Sequence, residues 1–241
     1  MAGVGAGALV VVAFAVLLGV VTQTSVGLGL GLVSAPVMTI ATPSLMPGAL
    51  IMLAATLPFL TLIREHRDID WFGLGWSMPW RVVGTAAGVW VITQITTGTL
   101  ERVVGAVVLL GVLLTARAVV VPINRGTLAA AGFVSGVTGT ATSIGGPPFA
   151  LLYQHRPPHQ IRSTIAVFFT AGAVLSLIGL ALAGELTVEE LEAAAVLVPV
   201  LAVGVLVGTR LRSRLPLTVM RPALLLVSGA SAVVLIVRSF T

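Results

Sequence analysis

The first ionised side chain in this sequence is Arg64, so 63 residues pass before the chain carries a charge. A soluble domain holds about 25% of its residues as Asp, Glu, Lys and Arg, whereas the whole 241-residue chain holds 9%, with 57% apolar residues. That excludes a soluble enzyme, a nucleic-acid-binding module and a disordered tail, and leaves an all-α polytopic membrane protein with the lipid bilayer as its first partner. The net charge of +5 comes from 13 Arg and no Lys. These arginines stand singly or in small groups between apolar runs, as expected of cytoplasmic loops rather than of a basic surface for nucleic acid. With no Cys, and with His66, His155 and His159 outside any metal-ligand spacing, nothing calls for a metal or a cofactor. The N-terminus is apolar from Met1 without a basic n-region and reads as a membrane segment, not a cleaved signal. The bias to Arg, Ala, Val and Gly points to a bacterial, high-GC genome, and the expected location is the cell membrane.

A helix needs about 20 apolar residues to cross the hydrocarbon core. The apolar runs are 3–21, 25–41, 45–63, 72–97, 103–121, 127–152, 163–184, 193–209 and 218–237, and no joint between them is long enough for an extramembrane domain. The chain also repeats itself. Gly27-Leu28-Gly29-Leu30-Gly31 matches Ser143-Ile144-Gly145-Gly146-Pro147 at an offset of 116, and Pro43 matches Pro158 at 115. Pro79, Gly84 and Gly88 match Pro199, Gly204 and Gly208 at 120. Three anchors in one order predict two homologous halves, 1–121 and 122–241.

Arginine placement bears on their relative orientation. The joint with Arg210, Arg212 and Arg214 is set inside, and the joint with Glu185, Glu189, Glu190 and Glu192 falls outside. If 127–152 enters and leaves on one side, 11 Arg lie inside and two (Arg102, Arg238) outside; if it crosses once, the split is seven to six. The first arrangement obeys the positive-inside rule. It predicts inverted repeats, each a Gly/Pro-broken re-entrant hairpin plus three transmembrane helices, with both termini outside.

Irregular backbone at membrane depth survives only inside protein or beside a wet cavity, so the two broken segments are the candidate substrate site. In the first half this gives Thr24, Ser25, Gly27, Gly29 and Gly31; in the second, Thr142, Ser143, Gly145 and Gly146. Broken helices aim N–H groups and their positive dipole ends at an anion, the hydroxyls beside them can donate as well, and neither segment holds a carboxylate. The plainer reading, close packing through small residues, fits Gly84/Gly88 and Gly204/Gly208 better than it fits the hairpin glycines. Arg81 either snorkels to the inner surface or reaches the anion path, and it joins the candidate set. His155, Arg156, His159 and Arg162 form a basic vestibule or a plain loop. Gln94 faces a cavity or makes an interhelical hydrogen bond. No nucleophile–base pair or paired carboxylates stand at membrane depth, so no enzyme is expected.

The paired motifs, Gly27–Gly31 followed by Pro36 and Ser143–Pro147, together with Pro-x4-Gly-x3-Gly in both halves, resemble the sulfite exporter TauE/SafE family of bacterial and plant anion transporters. The likeness covers essentially the whole chain; Leu30 and Pro147 stand where the family pattern has Gly. The resemblance implies secondary transport, often export, of sulfite or an organosulfonate such as sulfoacetate across the cytoplasmic membrane. No phosphate-binding loop argues for ATP use. An anion channel, or a transporter of another small anion or organic acid, is the alternative. The small anionic substrate is the partner implied; a coupling ion, homo-oligomer formation and the direction of transport are left open.

Overall fold

The computed structural model describes residues 5–26, 29–64, 67–116, 121–212 and 217–238. Among them the chain forms ten α-helices and one short 3-10 turn at Pro43–Leu45. The helices are α1 (Ala6–Val26), α2 (Leu30–Ala41), α3 (Gly48–Arg64), α4 (Trp71–Gln94), α5 (Thr97–Ala116), α6 (Arg125–Thr142), α7 (Gly146–Tyr153), α8 (Pro158–Leu182), α9 (Val188–Arg212) and α10 (Leu217–Arg238). Four stretches are both long and apolar enough to cross a bilayer: Ala6–Ser25, Gly98–Ala116, Pro158–Leu182 and Val188–Leu211. The chain is an all-α polytopic membrane protein.

Two apolar runs do not make single helices. Run 25–41 is divided: α1 ends at Val26 and α2 starts at Leu30. The second arm folds back on the first, because Ser34 Oγ on α2 donates to the Ala15 carbonyl at 3.1 Å. Of the run 3–21, which the sequence leaves open between a full span and half of a hairpin, the part in α1 supplies the first arm of a hairpin; α1 is also long enough to cross. Run 127–152 divides at Ser143–Gly145. Ser143 takes the left-handed conformation (φ 62°) that ends α6, and Pro147 and Pro148 occupy the first turn of α7, where no backbone N–H is needed. With eight residues, α7 is about 12 Å long at about 1.5 Å per residue and spans nothing. It turns back so that a Cβ on Gly145 would stand 3.1 Å from Gly139 Cα.

The hairpins are clasped by long helices. The principal pairs are α4 with α6, α1 with α9, α3 with α8 and α5 with α10. The seams close through glycine, as helix contacts in lipid do when backbones must approach. Gly84 lies against the Phe133 backbone and Gly88 against Val137, while Gly204 lies against Leu17 and Val20 and Gly208 against Val21 and Thr24. This is the packing role that the sequence favours for these four. One apolar cluster gathers Val16, Leu30, Met38, Leu50, Leu197 and Leu235; a second joins Leu74, Leu128, Phe149, Tyr153 and Phe168.

Polar residues fix the helix starts. Asn124 and Thr127 form a reciprocal capping box on α6. Asp70 caps α4 by accepting from Gly73 N at 2.9 Å; its second oxygen accepts from the Tyr153 hydroxyl at 2.8 Å, and its own N–H donates to Thr164 Oγ1 at 3.0 Å. At the start of α9, Thr187 N donates to Glu190 Oε2 at 2.9 Å and Glu190 N to Thr187 Oγ1 at 3.2 Å. The other Glu190 oxygen accepts from Gly48 N, at the start of α3, at 2.7 Å. Gln94, at the exposed end of α4, donates to its neighbour Thr93 at 3.3 Å, and among the described residues it makes neither of the contacts expected for it.

Candidate functional site: a buried arginine between two hairpin tips

The two breaks meet. A Cβ on Gly31, at the start of α2, would lie 3.0 Å from the Ser143 carbonyl and 3.3 Å from Ile144 Cγ1. Between and below the tips is a cavity of about 620 Å³. Of the candidate residues, Thr24, Ser25, Gly29, Gly31, Ser143, Gly145, Gly146 and Arg81 all line it. Thr142 does not: its side chain is buried and its hydroxyl donates back to the Thr138 carbonyl at 2.7 Å, on a face of α6 turned from the cavity. Gly27 lies outside the described residues. Among the described residues, no Asp or Glu lines the cavity.

Arg81 departs from the snorkelling expectation. Its residue exposure is 3%, and its guanidinium runs inward from α4 instead of towards an interface. The reason is space supplied by distant segments. A Cβ on Gly172 of α8 would collide with the guanidinium; one on Gly139 would lie 3.2 Å from Nη2, and one on Gly145 would lie 3.3 Å from Nη1. Three glycines therefore make a sleeve that no larger residue would leave open. Phe168, one turn before Gly172, places its ring 4.7 Å from the guanidinium carbon, a cation–π contact. Phe168 in turn stacks on Phe149 at 3.7 Å, and Phe149 meets Tyr153 at 4.9 Å. Nε and Nη1 of Arg81 are buried with no hydrogen-bond partner among the described residues. A buried charge without a partner is costly in any protein, and Nη1 sits beside Gly145, where α7 begins; with Pro147 and Pro148 in that first turn, Gly145 and Gly146 carry the N–H donors there, and no side chain caps them.

The hydroxyls behave differently from the expectation that they donate to an anion. Thr24 donates to the Val20 carbonyl at 2.7 Å, Ser25 to Val21 at 2.7 Å and to Gly208 at 3.2 Å, and Ser143 to Pro47 at 2.9 Å. Their protons are committed to backbone, so they do not face the cavity as donors in the way that the Arg81 guanidinium does. At the first tip Gln23 spans the break, its Oε1 accepting from Leu30 N at 3.0 Å, so α2 begins capped where α7 does not. Gln23, within the polar stretch that precedes the first break, lines the cavity too; Phe169 and Ser176 line it without having been singled out from sequence, and Ser176 shares a 2.8 Å hydrogen bond with Thr140. The spacing of Phe168, Gly172 and Ser176 along α8 was the available signal. Around the start of α8, Arg162 reaches the cavity wall, while His155, Arg156 and His159 are exposed, and His159 lies 3.6 Å from Asp68.

Among the described residues there is no group of three or more His, Cys, Asp or Glu side chains placed to hold a metal. Comparison with curated proteins and with solved structures returns no match. The family described as "Sulfite exporter TauE/SafE" matches residues 11–235, nearly the whole chain and both hairpins. The chain belongs to the sulfite exporter TauE/SafE family, and it is a multi-pass membrane protein of a family of secondary transporters of small sulfur-containing anions, not an enzyme.

Proposed function

We propose that this protein exports sulfite or a small organosulfonate such as sulfoacetate by alternating access, with the anion held between the hairpin tips by Arg81 and the amino end of α7. The observation that carries the reading is the pair of Arg81 nitrogens, Nε and Nη1, buried without a partner among the described residues, with Nη1 beside Gly145. A sulfonate or sulfite oxygen accepts from a guanidinium in a charge-assisted hydrogen bond, and no carboxylate among the described lining residues is there to repel it. The binding residues in this reading are Arg81, Gly145 and Gly146, with Thr24, Ser25, Gly29, Gly31 and Ser143 shaping the walls.

Alternating access needs two bodies that rock about the site, and we read them as two inverted repeats, residues 1–121 and 122–241. Matching α1 to α5 with α6 to α10 in order, the pairing of α4 with α6 becomes that of α9 with α1, and the pairings of α3 with α8 and α5 with α10 map onto themselves. The match reaches single residues: Gly84 on Phe133 and Gly88 on Val137 correspond to Gly204 on Leu17 and Gly208 on Val21, at the offsets of 120 and 116 seen in the sequence. A hairpin plus three crossings per repeat inverts the second half and agrees with the arginine count.

The test is thermal stabilisation of the purified protein by sulfite, thiosulfate, sulfate, sulfoacetate, isethionate and taurine, with chloride as control. Selective stabilisation by a sulfite or sulfonate that disappears in Arg81→Met is expected. Stabilisation that survives the substitution would remove Arg81 from the site, and no response to any sulfur anion would overturn the substrate assignment.

A further inference from the structure

Glu190 is 1% exposed and every described partner of its carboxylate is a neutral donor: Gly48 N at 2.7 Å, Thr187 N at 2.9 Å and Thr187 Oγ1 at 3.4 Å. It is held tightly, since a Cβ on Gly48 would lie 2.8 Å from Oε1. Among the described residues, the elements packed around the start of α9 supply no cation. α1, the Pro43–Leu45 turn and the described side chains of α3 contain no ionisable group. Glu185 stands in the preceding loop, and Glu189 and Glu192 on α9 itself have interactions of their own. No described partner of the Glu190 carboxylate carries a compensating positive charge, and burying it charged is costly.

The same carboxylate is linked to the cavity by one peptide group. The Gly48 N–H that donates to Glu190 belongs to the peptide whose carbonyl, on Pro47, accepts from Ser143 Oγ at 2.9 Å. Ser143 is the left-handed residue at the tip of the second hairpin and lines the cavity. A charged Glu190 polarises the 47–48 peptide and makes its carbonyl a better acceptor, so the tip is held more firmly. When the carboxylate takes a proton, its bonds from Gly48 and Thr187 lose their charge assistance, which carries roughly half their strength, and the carbonyl holds Ser143 less well.

We propose that Glu190 takes up and gives back a proton during the transport cycle, and that its charge sets how firmly the second hairpin's tip is clasped to the start of α3. The proton is then the ligand of a site separate from the anion cavity, and Glu190 is a positioning residue that acts through the 47–48 peptide. The inference rests on the transport reading above for its place in a cycle, but its test does not need the substrate.

The chain has no Cys, so a single Ile144→Cys at the tip reports alone. Its rate of modification by a water-soluble thiol reagent, corrected for the reagent's own pH dependence on an exposed Cys introduced at Arg156, is measured between about pH 5 and about pH 8. With Glu190 present the corrected rate should rise on acidification by about fivefold, the change in protonated fraction from one pH unit above a midpoint to the midpoint itself. In Glu190→Gln, which keeps the shape of the side chain and one acceptor oxygen, the corrected rate should stay flat. Glu190→Asp, still titratable but one methylene shorter, covers a Gln variant that does not fold; its midpoint must move from that of the native side chain. A flat native profile, a Gln variant that titrates as native, or an unmoved Asp midpoint each overturns the proposal. A titrating tip in a protein that binds no sulfur anion would sink the substrate assignment and leave Glu190 in place; anion binding with a flat tip would do the reverse.

Discussion

Arg81 is the residue whose placement the chain could least afford without a purpose. Even a buried ion pair can often be replaced by apolar side chains of similar volume at no cost or with a gain of about 1–4 kcal/mol, and a buried charge without a charged partner has no such attraction to lose. Arg81→Met should therefore raise the unfolding midpoint of the anion-free protein in detergent while abolishing the anion-induced shift. A midpoint that falls would mean that the guanidinium is a structural tie. Gly172→Ala tests the sleeve from the opposite wall: the new methyl would collide with the guanidinium and displace it. Anion affinity should drop about 10-fold or more, the worth of one hydrogen bond to a charged group, read as a higher half-saturating concentration in the same thermal assay. None of this is legible at residue 81 alone. In sequence, an arginine two positions after Pro79 near the start of an apolar run looks like one that reaches an interface. The three glycines that give it room lie 58 to 91 positions further on, and only the packing of α4 on α6 and α8 brings them together.

At the scale of elements, helices and breaks were readable because each has a local cause. Asn124 with Thr127 starts α6, Pro147 and Pro148 start α7, and glycine clusters mark where both runs divide. The face that each residue presents was less readable. Thr142 sits one residue from the break yet points into protein, since its position in the last turn of α6 turns its hydroxyl to the Thr138 carbonyl. The hydroxyls of Thr24 and Ser25 were legible as polar groups in an apolar run, but not their use of i−4 carbonyls as acceptors. The seam between α4 and α6 offers a paired test. Gly84→Ala places a methyl against the Phe133 backbone, which cannot move as a side chain end would; overpacking of this kind costs about 1–3 kcal/mol. Gly75→Ala, in the same helix but with nothing within 4 Å of its Cβ, should be neutral or gain about 0.5–1 kcal/mol from helix propensity. Thermal unfolding of the two variants should move in opposite directions. Equal losses would mean that α4 tolerates no change anywhere along its length.

For the whole molecule, the orientation follows from which ends share a side. α8 has 25 residues, about 37 Å at about 1.5 Å per residue, more than the roughly 30 Å of hydrocarbon. Its two flanking loops must then lie on opposite sides. In an otherwise Cys-free chain, a Cys at Arg156 and a Cys at Glu185 should be modified by a membrane-impermeant reagent from opposite faces of oriented vesicles, with Arg156 on the cytoplasmic side. Modification of both from one side would exclude α8 as a crossing and the inverted arrangement with it. The proposed duplication rests on residue offsets, and those offsets say nothing of how the two segments would differ. Leu201 occupies the place that matches Arg81 at the offset of 120, and Gln23 caps α2 where α7 has no side-chain cap. One half thus carries the charge and the other completes the wall. The ring stack behind the arginine has a practical result of its own. The chain contains a single tyrosine, Tyr153, and it lies at the far end of the Phe168–Phe149 stack, with its hydroxyl on the cap of the helix that bears Arg81. A fluorine on that phenol gives the molecule a native resonance of its own, two rings from the guanidinium, by which filling and emptying of the cavity can be followed without a dye or an added thiol.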